Sequence, residues 1–420
     1  MTKSYDILAR SNIFFLIGLA LSIPASKAGM NLFLYPYVLT AFALYFKSDI
    51  QLRQSQTIIL KSSVAVFVLG LIFSMFSKGV AADPLVYIQK YIYLLLPICL
   101  IFTATKNAKA IWWSLAAFII SIVACIFIDL YLFAFVYDFF SEQTVRLWGR
   151  IGYSRWPIVL TTGITAAVIY VFYSKNITKT IYALSFITLS VVAAILSGSK
   201  GGIVAIGILF LGFSTIIIKS NWKYIAVVFL ITIAVFQTDT FQTTIVERGF
   251  SPESIKGESI QARVTMIKTA WSLSKLNASN DLQYLLFGGG LDKPQQAFEQ
   301  ALSSLPVEER ETLTYGGRYW GHTDLHNSYL DQLFKSGLLF SLIYTSLMVM
   351  LVVFGYQAAK ACNHHFKHCS FMFVTTILAY ILFNSFYSNF ADYAVYSQIY
   401  FLSLILCLPV VLGKVNKPLE

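Results

Sequence analysis

Charge is what this sequence lacks most. Only 12% of its 420 residues are charged while 57% are apolar, and a soluble domain of that length could not keep such a mixture off its surface. The apolar residues fall into many separate runs of about 17 to 25, the length a helix needs to cross a bilayer, so a single signal peptide is excluded. The five cysteines imply no disulfide framework, since Cys99, Cys125 and Cys407 sit inside apolar runs and Cys362 and Cys369 share one short basic loop. No internal repeat is evident, which leaves an inverted-repeat transporter without support.

What is present predicts an all-α polytopic membrane protein. Twelve apolar runs are candidate spans: 11–27, 31–46, 57–76, 86–104, 110–136, 156–173, 180–197, 202–218, 223–238, 326–356, 371–388 and 394–412. The chain thus divides into nine spans over 1–238, a long extra-membrane loop over 239–325, and three spans with a short tail over 326–420. The formal charge of +11 would suggest nucleic acid in a soluble protein, but here the basic residues cluster between apolar runs and read as topology signals. An even number of spans puts both termini on one side, together with Lys3 and Arg10, Lys47 and Arg53, Lys106 and Lys109, and Lys360 and Lys367. By the positive-inside rule that side is the cytoplasm.

Arg146, Arg150, Arg155, Lys200, Arg248 and Arg263 fall on the opposite face, where insertion gives no reason for positive charge. The first three lie in the short loop VRLWGRIGYSRWP, Lys200 in SGSKGG between two spans, and the last two in the long loop. That loop mixes acids such as Glu247, Glu258 and Glu308 with apolar residues, a composition able to fold. In SIQARVTMIKTAWSLSKL, Ile260, Val264, Ile267 and Trp271 recur at helical spacing, which predicts an amphipathic helix along the membrane surface. LLFGGGLD follows as a glycine turn.

Histidine is scarce enough to enumerate. His364, His365 and His368 lie in CNHHFKHC on the cytoplasmic side; thiols and imidazoles together suit a metal, but the spacing matches no closed zinc site, and a basic positive-inside loop is the simpler reading. His322 and His326 lie in GHTDLHNSYLDQLFKSG, where the long loop turns into the tenth span. Imidazole, with a reference pKa of about 6.5, accepts a proton near neutral pH without elaborate tuning; a histidine that merely caps the helix is the alternative.

A lone base does not explain the cations on the same face, whereas a substrate carrying phosphates beside the reacting atom would. Lys200, with Gly201 and Gly202 at the start of the eighth span, adds its charge to free amides and a helix dipole, or else snorkels to lipid headgroups. Arg248 and Arg263 offer forks that match phosphate oxygens, or else pair with the loop's own acids. Arg150 and Arg155, beside Tyr153 and Trp156, reach either a pyrophosphate or lipid headgroups. No P-loop pattern and no D-x-D pair occurs, which argues against a nucleotide site and against a glycosyltransferase that holds a divalent metal through paired carboxylates. Asp129, inside the fifth span, is either functional or paired with a neighbouring helix.

In their order and topology these segments resemble the bacterial O-antigen ligase family and its relatives, the O-antigen polymerases and protein O-oligosaccharyltransferases. SGSKGG looks like the family's small-polar stretch ending in a cation, with Lys200 where arginine is usual, which keeps the charge and loses the fork. QARVTMIKTAW is similar to the helix carrying the family arginine, here Arg263, LLFGGGLD to its P-L-x-G-x-G turn, and ERGF, more thinly, to the segment carrying Arg248. DLHNSYLDQLFKSGLLFSLIY is similar to the H-N signature that opens a span after the long loop, which assigns the family histidine to His326.

The resemblance implies a GT-C-like fold in the inner membrane of a Gram-negative bacterium, with the long loop, containing short helices, in the periplasm. It implies transfer of a glycan from undecaprenyl pyrophosphate to a sugar hydroxyl of lipid A-core. His326 would be the general base, Lys200, Arg263, Arg248, Arg155 and Arg150 would meet the pyrophosphate, and no metal or other cofactor would be needed. A polymerase uses the same donor but often shows two sizeable periplasmic loops, and a protein O-oligosaccharyltransferase usually continues into an extra C-terminal region, whereas this chain stops soon after Leu412. A flippase would need its cations in mid-membrane rather than at the outer boundary.

Overall fold

The structure, a computed structural model, describes residues 2–48, 50–77, 84–136, 147, 149–152, 154–173, 176–220, 258–292, 294–319, 325–386 and 390–415. The candidate span 223–238 lies outside them, and each of the other eleven coincides with helix. These are α1 (Thr2–Ala25), α2 (Lys27–Lys47), α3 (Gln54–Met75), α4 (Pro84–Tyr91) running through a 3-10 turn into α5 (Leu96–Lys106), α6 (Ala108–Tyr131), α7 (Trp156–Tyr173), α8 (Ile177–Leu196) and α9 (Lys200–Ser220). The long loop holds α10 (Glu258–Asn280), α11 (Leu282–Phe287), α12 (Pro294–Ser303) and α13 (Val307–Thr312), then strands β1 (Thr314–Tyr315) and β2 (Arg318–Tyr319). The chain ends with α14 (Ser328–Ala361), α15 (Cys369–Phe386) and α16 (Ala394–Val415).

Eight helices among the described residues are long and apolar enough to cross a membrane, and α7, α9 and α15 carry shorter apolar stretches. The chain has the make-up of an all-α membrane protein. Short polar residues cap several helices where the chain turns. Ser26 accepts from the Gly29 amide, Asn107 from Lys109 and Asn176 from Thr178, each satisfying an amide that the first helical turn leaves without a partner.

Burial separates the helices into two groups. The α4–α5 segment and α16 are 72% and 78% buried, against 22–44% for the other six long apolar helices, so these two form the centre and the rest face outward. Several polar side chains inside the bundle pair across helices, which satisfies them where lipid offers no partner. Thr103 donates to Asn12 at 2.8 Å, Asn384 and Gln398 exchange two hydrogen bonds, and the Tyr400 hydroxyl donates to Ser114 at 3.0 Å.

The long loop has a core of its own. Met266, Ala270 and Leu273 of α10 pack with Phe298, Leu302 and Leu313, and Leu325 and Phe334 bring the head of α14 into the same cluster. Gly316 and Gly317, at φ 61° and 71°, form the two-residue turn of the β1–β2 hairpin, a conformation that suits paired glycines. The hairpin adds a small strand element to the helices expected there.

The helix expected from SIQARVTMIKTAW forms, but of the apolar positions that its spacing singles out, Val264, Ile267 and Trp271 are not the ones that bury, and the side chain of Ile260 lies outside the described residues. Its inward face is Ala262, Met266, Ala270 and Leu273, whereas Val264, Ile267 and Trp271 are 41%, 39% and 70% exposed. At 100° per residue the two sets lie on opposite sides, so the helix carries two apolar stripes and only one finds protein. The apolar β-branched and aromatic side chains of Val264, Ile267 and Trp271 point outward. We expect Met266→Ala to cost about 2–4 kcal/mol through the cavity it leaves, and Trp271→Ala less than about 1 kcal/mol in detergent. Thermal unfolding of the two variants checks this directly.

Candidate functional site

The head of α14 is built around Asn327. Its side-chain oxygen accepts from the Tyr329 and Leu330 amides, both at 3.1 Å, and its side-chain nitrogen donates to the Ser385 carbonyl at the end of α15, 2.9 Å away. On the other side, Leu325 is buried in the loop core and its amide donates to Asp331 Oδ1 at 3.2 Å. His326 stands between these two clamps, half-buried, with φ 50°. A non-glycine residue seldom adopts this left-handed conformation, and it persists where the flanking chain is fixed on both sides. A short asparagine cap and a buried leucine thus present the imidazole at the top of a helix.

Further along, α14 breaks. Gly337 has φ 76° and ψ 173°, which takes the carbonyls before it out of the helical ladder. The glycine turn fills the gap: the Gly289 amide donates to the Phe334 carbonyl at 3.0 Å and the Gly290 amide to the Lys335 carbonyl at 2.8 Å. The approach is close enough that a Cβ on Gly337 would lie 2.3 Å from the Leu286 oxygen, and one on Gly288 2.5 Å from the Lys335 carbonyl. The Gln283 side chain and Ser77 extend this seam to the end of α3, donating to the Phe76 and Phe287 carbonyls. The two most distinctive sequence segments, GGG and the histidine motif, therefore meet backbone to backbone.

The acids and bases of the histidine motif are used inward. Asp331 Oδ2 accepts from Lys335 Nζ at 2.8 Å, and both side chains are more than nine-tenths buried. The Tyr91 hydroxyl donates to Gln332 at 2.5 Å. Ser74, Ser77, Tyr87, Lys335 and Ser336 line a small cleft between α3, α4 and the kink. The single Asp331 carboxylate thus holds both the chain just before His326 and the lysine beneath the glycine turn.

A second group of charges gathers where α2, α4, α7 and α16 approach one another. Arg155 Nε contacts both oxygens of Asp392 at 2.6 Å, and the Tyr393 amide donates to the same carboxylate at 2.5 Å. Lys27 and Lys90 both approach the ring of Tyr393, with Nζ 5.4 and 5.8 Å from its centroid. Phe390, two residues before Asp392, packs edge-on against Tyr329 at 5.3 Å, which ties this turn to the first turn of α14. Lys27 and Lys90 do not stand out in the sequence because each lies within or at the edge of an apolar run, yet an ionisable residue inside a span is itself a signal.

The other residues that the sequence singles out are distributed as follows. Arg150 is exposed and acts electrostatically on buried Asp129. The loop carrying Arg150 and Arg155 is tied to SGSKGG, since the Leu147 amide donates to the Leu196 carbonyl at 3.0 Å and a Cβ on Gly202 would meet Pro157 at 2.2 Å. Lys200 opens α9 directly beside it, though its side chain is outside the described set; the Gly202 amide there reaches Ser199 Oγ at 3.4 Å. Arg263 is half-buried on α10, which packs on α11, β1 and α14. Arg248 and His322 lie outside the described residues.

CNHHFKHC forms a tight turn closed by Asn363, which donates to Ser370 Oγ at 2.8 Å and accepts from the Ser370 amide at 3.0 Å. Burial pushes the Cys362 thiol up to about 11, which keeps it protonated at neutral pH. Among the described residues no three His, Cys, Asp or Glu side chains group as metal ligands. Compared with models of protein families and with curated proteins, the chain matches none.

Proposed function

We propose that the chain is a membrane glycosyltransferase of the O-antigen ligase kind, moving a glycan from undecaprenyl pyrophosphate to a sugar hydroxyl of lipid A-core. In this reading it spans the inner membrane twelve times with both termini in the cytoplasm, and the long loop covers a site on the periplasmic face. The observation that carries the reading is the docking of the glycine turn on the kinked helix headed by His326. It joins two segments that resemble ligase motifs into one rigid unit, with a basic residue type at its apex and cations on neighbouring elements.

The chemistry follows from those residue types. The acceptor oxygen attacks the anomeric carbon from the side opposite the diphosphate, which inverts that centre. The bond from carbon to the diphosphate oxygen breaks, and the electron pair leaves on the diphosphate. His326 takes the proton that the attacking hydroxyl must lose, a contribution of about 10²–10⁴ in rate. Lys200, Arg263, Arg248 and the Arg150–Arg155 loop neutralise the charge that grows on the leaving group. Of these, Arg155 already engages Asp392, so its part is to shape the edge of the site as much as to bind.

Reconstitution tests the reading. Purified protein in proteoliposomes supplied with a diphosphate-linked glycan and lipid A-core should produce glycan-bearing lipid A-core. Movement of the donor across the bilayer without transfer would replace the enzyme by a transporter. In cells lacking the protein, core with polymer accumulated on the carrier lipid fits a ligase, and core bearing one repeat unit would point to a polymerase instead. At Lys200 charge is proposed to matter more than fork geometry, so Lys200→Arg should keep at least about half of the transfer rate and Lys200→Glu less than about a hundredth. Equal loss in both would assign Lys200 a steric role.

A further inference from the structure

Among the described residues, the charges around Tyr393 do not balance. Lys27, at the first position of α2, and Lys90, on α4, flank one aromatic ring, and Lys90 interacts electrostatically with Asp392, Lys335, Arg155 and Lys27. The two carboxylates in this group are already engaged: Asp392 by Arg155 at 2.6 Å and Asp331 by Lys335 at 2.8 Å. Among the described residues, no carboxylate lies within 4.0 Å of Lys27 or Lys90. Among the described residues, four cations therefore face two anions, and the two lysines contribute the two positive charges left over.

Such a surplus on a half-buried surface is costly unless an anion answers it, because desolvation weakens the screening that water supplies. Lys27 is exposed and Lys90 half-buried, so the pair is open to a ligand from one side, while the Tyr393 ring holds the two ammonium groups in place. The amino end of α2 adds a helix dipole of the same sign, since its first residue is Lys27 itself.

We propose that Lys27 and Lys90, seated on Tyr393 and backed by the Arg155–Asp392 and Lys335–Asp331 pairs, form a binding site for a phosphate-bearing group carrying two negative charges. A disubstituted diphosphate, with one ionised oxygen on each phosphorus, meets that requirement; the phosphodiester of an ordinary phospholipid supplies only one such charge. In identifying the occupant as a lipid-linked diphosphate the proposal rests on the function proposed above, but the site itself does not. It adds two lysines to the arginines and Lys200 as groups that meet the donor.

The test is binding to the full-length protein in phosphatidylcholine nanodiscs, measured by calorimetry with inorganic pyrophosphate as the probe. Wild type should bind in a salt-sensitive manner, and the Lys27→Gln, Lys90→Gln double variant should bind at least about tenfold more weakly, as expected for loss of charge-assisted contacts. Lys90→Arg should restore binding to within about threefold of wild type, which separates lost charge from lost fold. Unchanged pyrophosphate affinity in the double variant overturns the proposal. So does a loss confined to phosphatidylglycerol in nanodiscs containing it, which would make the pair a headgroup contact. His326→Ala should bind pyrophosphate normally. If that variant also transfers glycan normally while the double lysine variant has lost pyrophosphate, the anion site stands and the proposed catalytic role of His326 falls.

Discussion

His326→Ala is expected to lower glycan transfer by about 10²–10⁴-fold, the range that a positioned general base contributes, with normal amounts of protein in the membrane. Two causes of such a loss have to be separated, because the residue also occupies a left-handed backbone position at φ 50°. Alanine tolerates that position poorly and asparagine well. His326→Asn is therefore the informative partner: it keeps the backbone and removes the base. If proton transfer is the role, both variants lose transfer alike and both melt near the wild-type temperature. Activity retained in His326→Asn would reduce the histidine to a turn residue. The flanking anchors make near-normal folding the expectation for both, since Asn327 caps α14 through its own side chain and Leu325 is held by Asp331.

Gly337→Ala is expected to disrupt the site from beneath, costing about 2–5 kcal/mol from positive-φ strain and the two hydrogen bonds the glycine turn makes to α14. The collision is with backbone: the added Cβ would lie 2.3 Å from the Leu286 oxygen and 2.5 Å from the Phe287 nitrogen, and no side-chain rotation relieves it. To admit the methyl group the turn must retreat, and the Gly289 and Gly290 amides then lose the Phe334 and Lys335 carbonyls. Gly316→Ala provides the comparison. Its φ is 61° but nothing lies within 4 Å of the place a Cβ would take, so only the conformational cost of about 1 kcal/mol applies. Thermal unfolding in detergent, read beside transfer activity, should rank Gly337→Ala far below Gly316→Ala in both. Equal losses would mean that the seam between turn and helix carries little of the stability.

Much of the architecture is legible as one-dimensional pattern. Runs of apolar residues set the helices because lipid demands internally satisfied backbone, and that demand holds whatever the helices pack against. Asn327 is readable as part of the histidine motif, and its place before an apolar run is where a short polar cap belongs. Two glycines between Tyr315 and Arg318 likewise carry a hairpin signal, although a faint one beside the helical pattern of the rest of the loop.

Burial along α10 is less legible. Val264, Ile267 and Trp271 repeat at helical spacing as well as Ala262, Met266, Ala270 and Leu273 do, and periodicity alone cannot say which stripe meets protein. The β-branched and aromatic side chains of Val264, Ile267 and Trp271 dominate the pattern and point outward. Met266, Ala270 and Leu273 take the interior, where α12 and the head of α14 pack against them.

The sequence by itself determined that this is a helical membrane protein, where its chain turns, and which few residues have the chemistry for proton and anion work, because those properties depend on residue type and local spacing. Only the tertiary structure decided that the glycine turn lies under the kink below His326, that Arg155 belongs to Asp392, and that Lys27 and Lys90 share Tyr393. These are pairings between segments far apart in the chain, set by how helices pack and by where one short side chain lets two backbones touch.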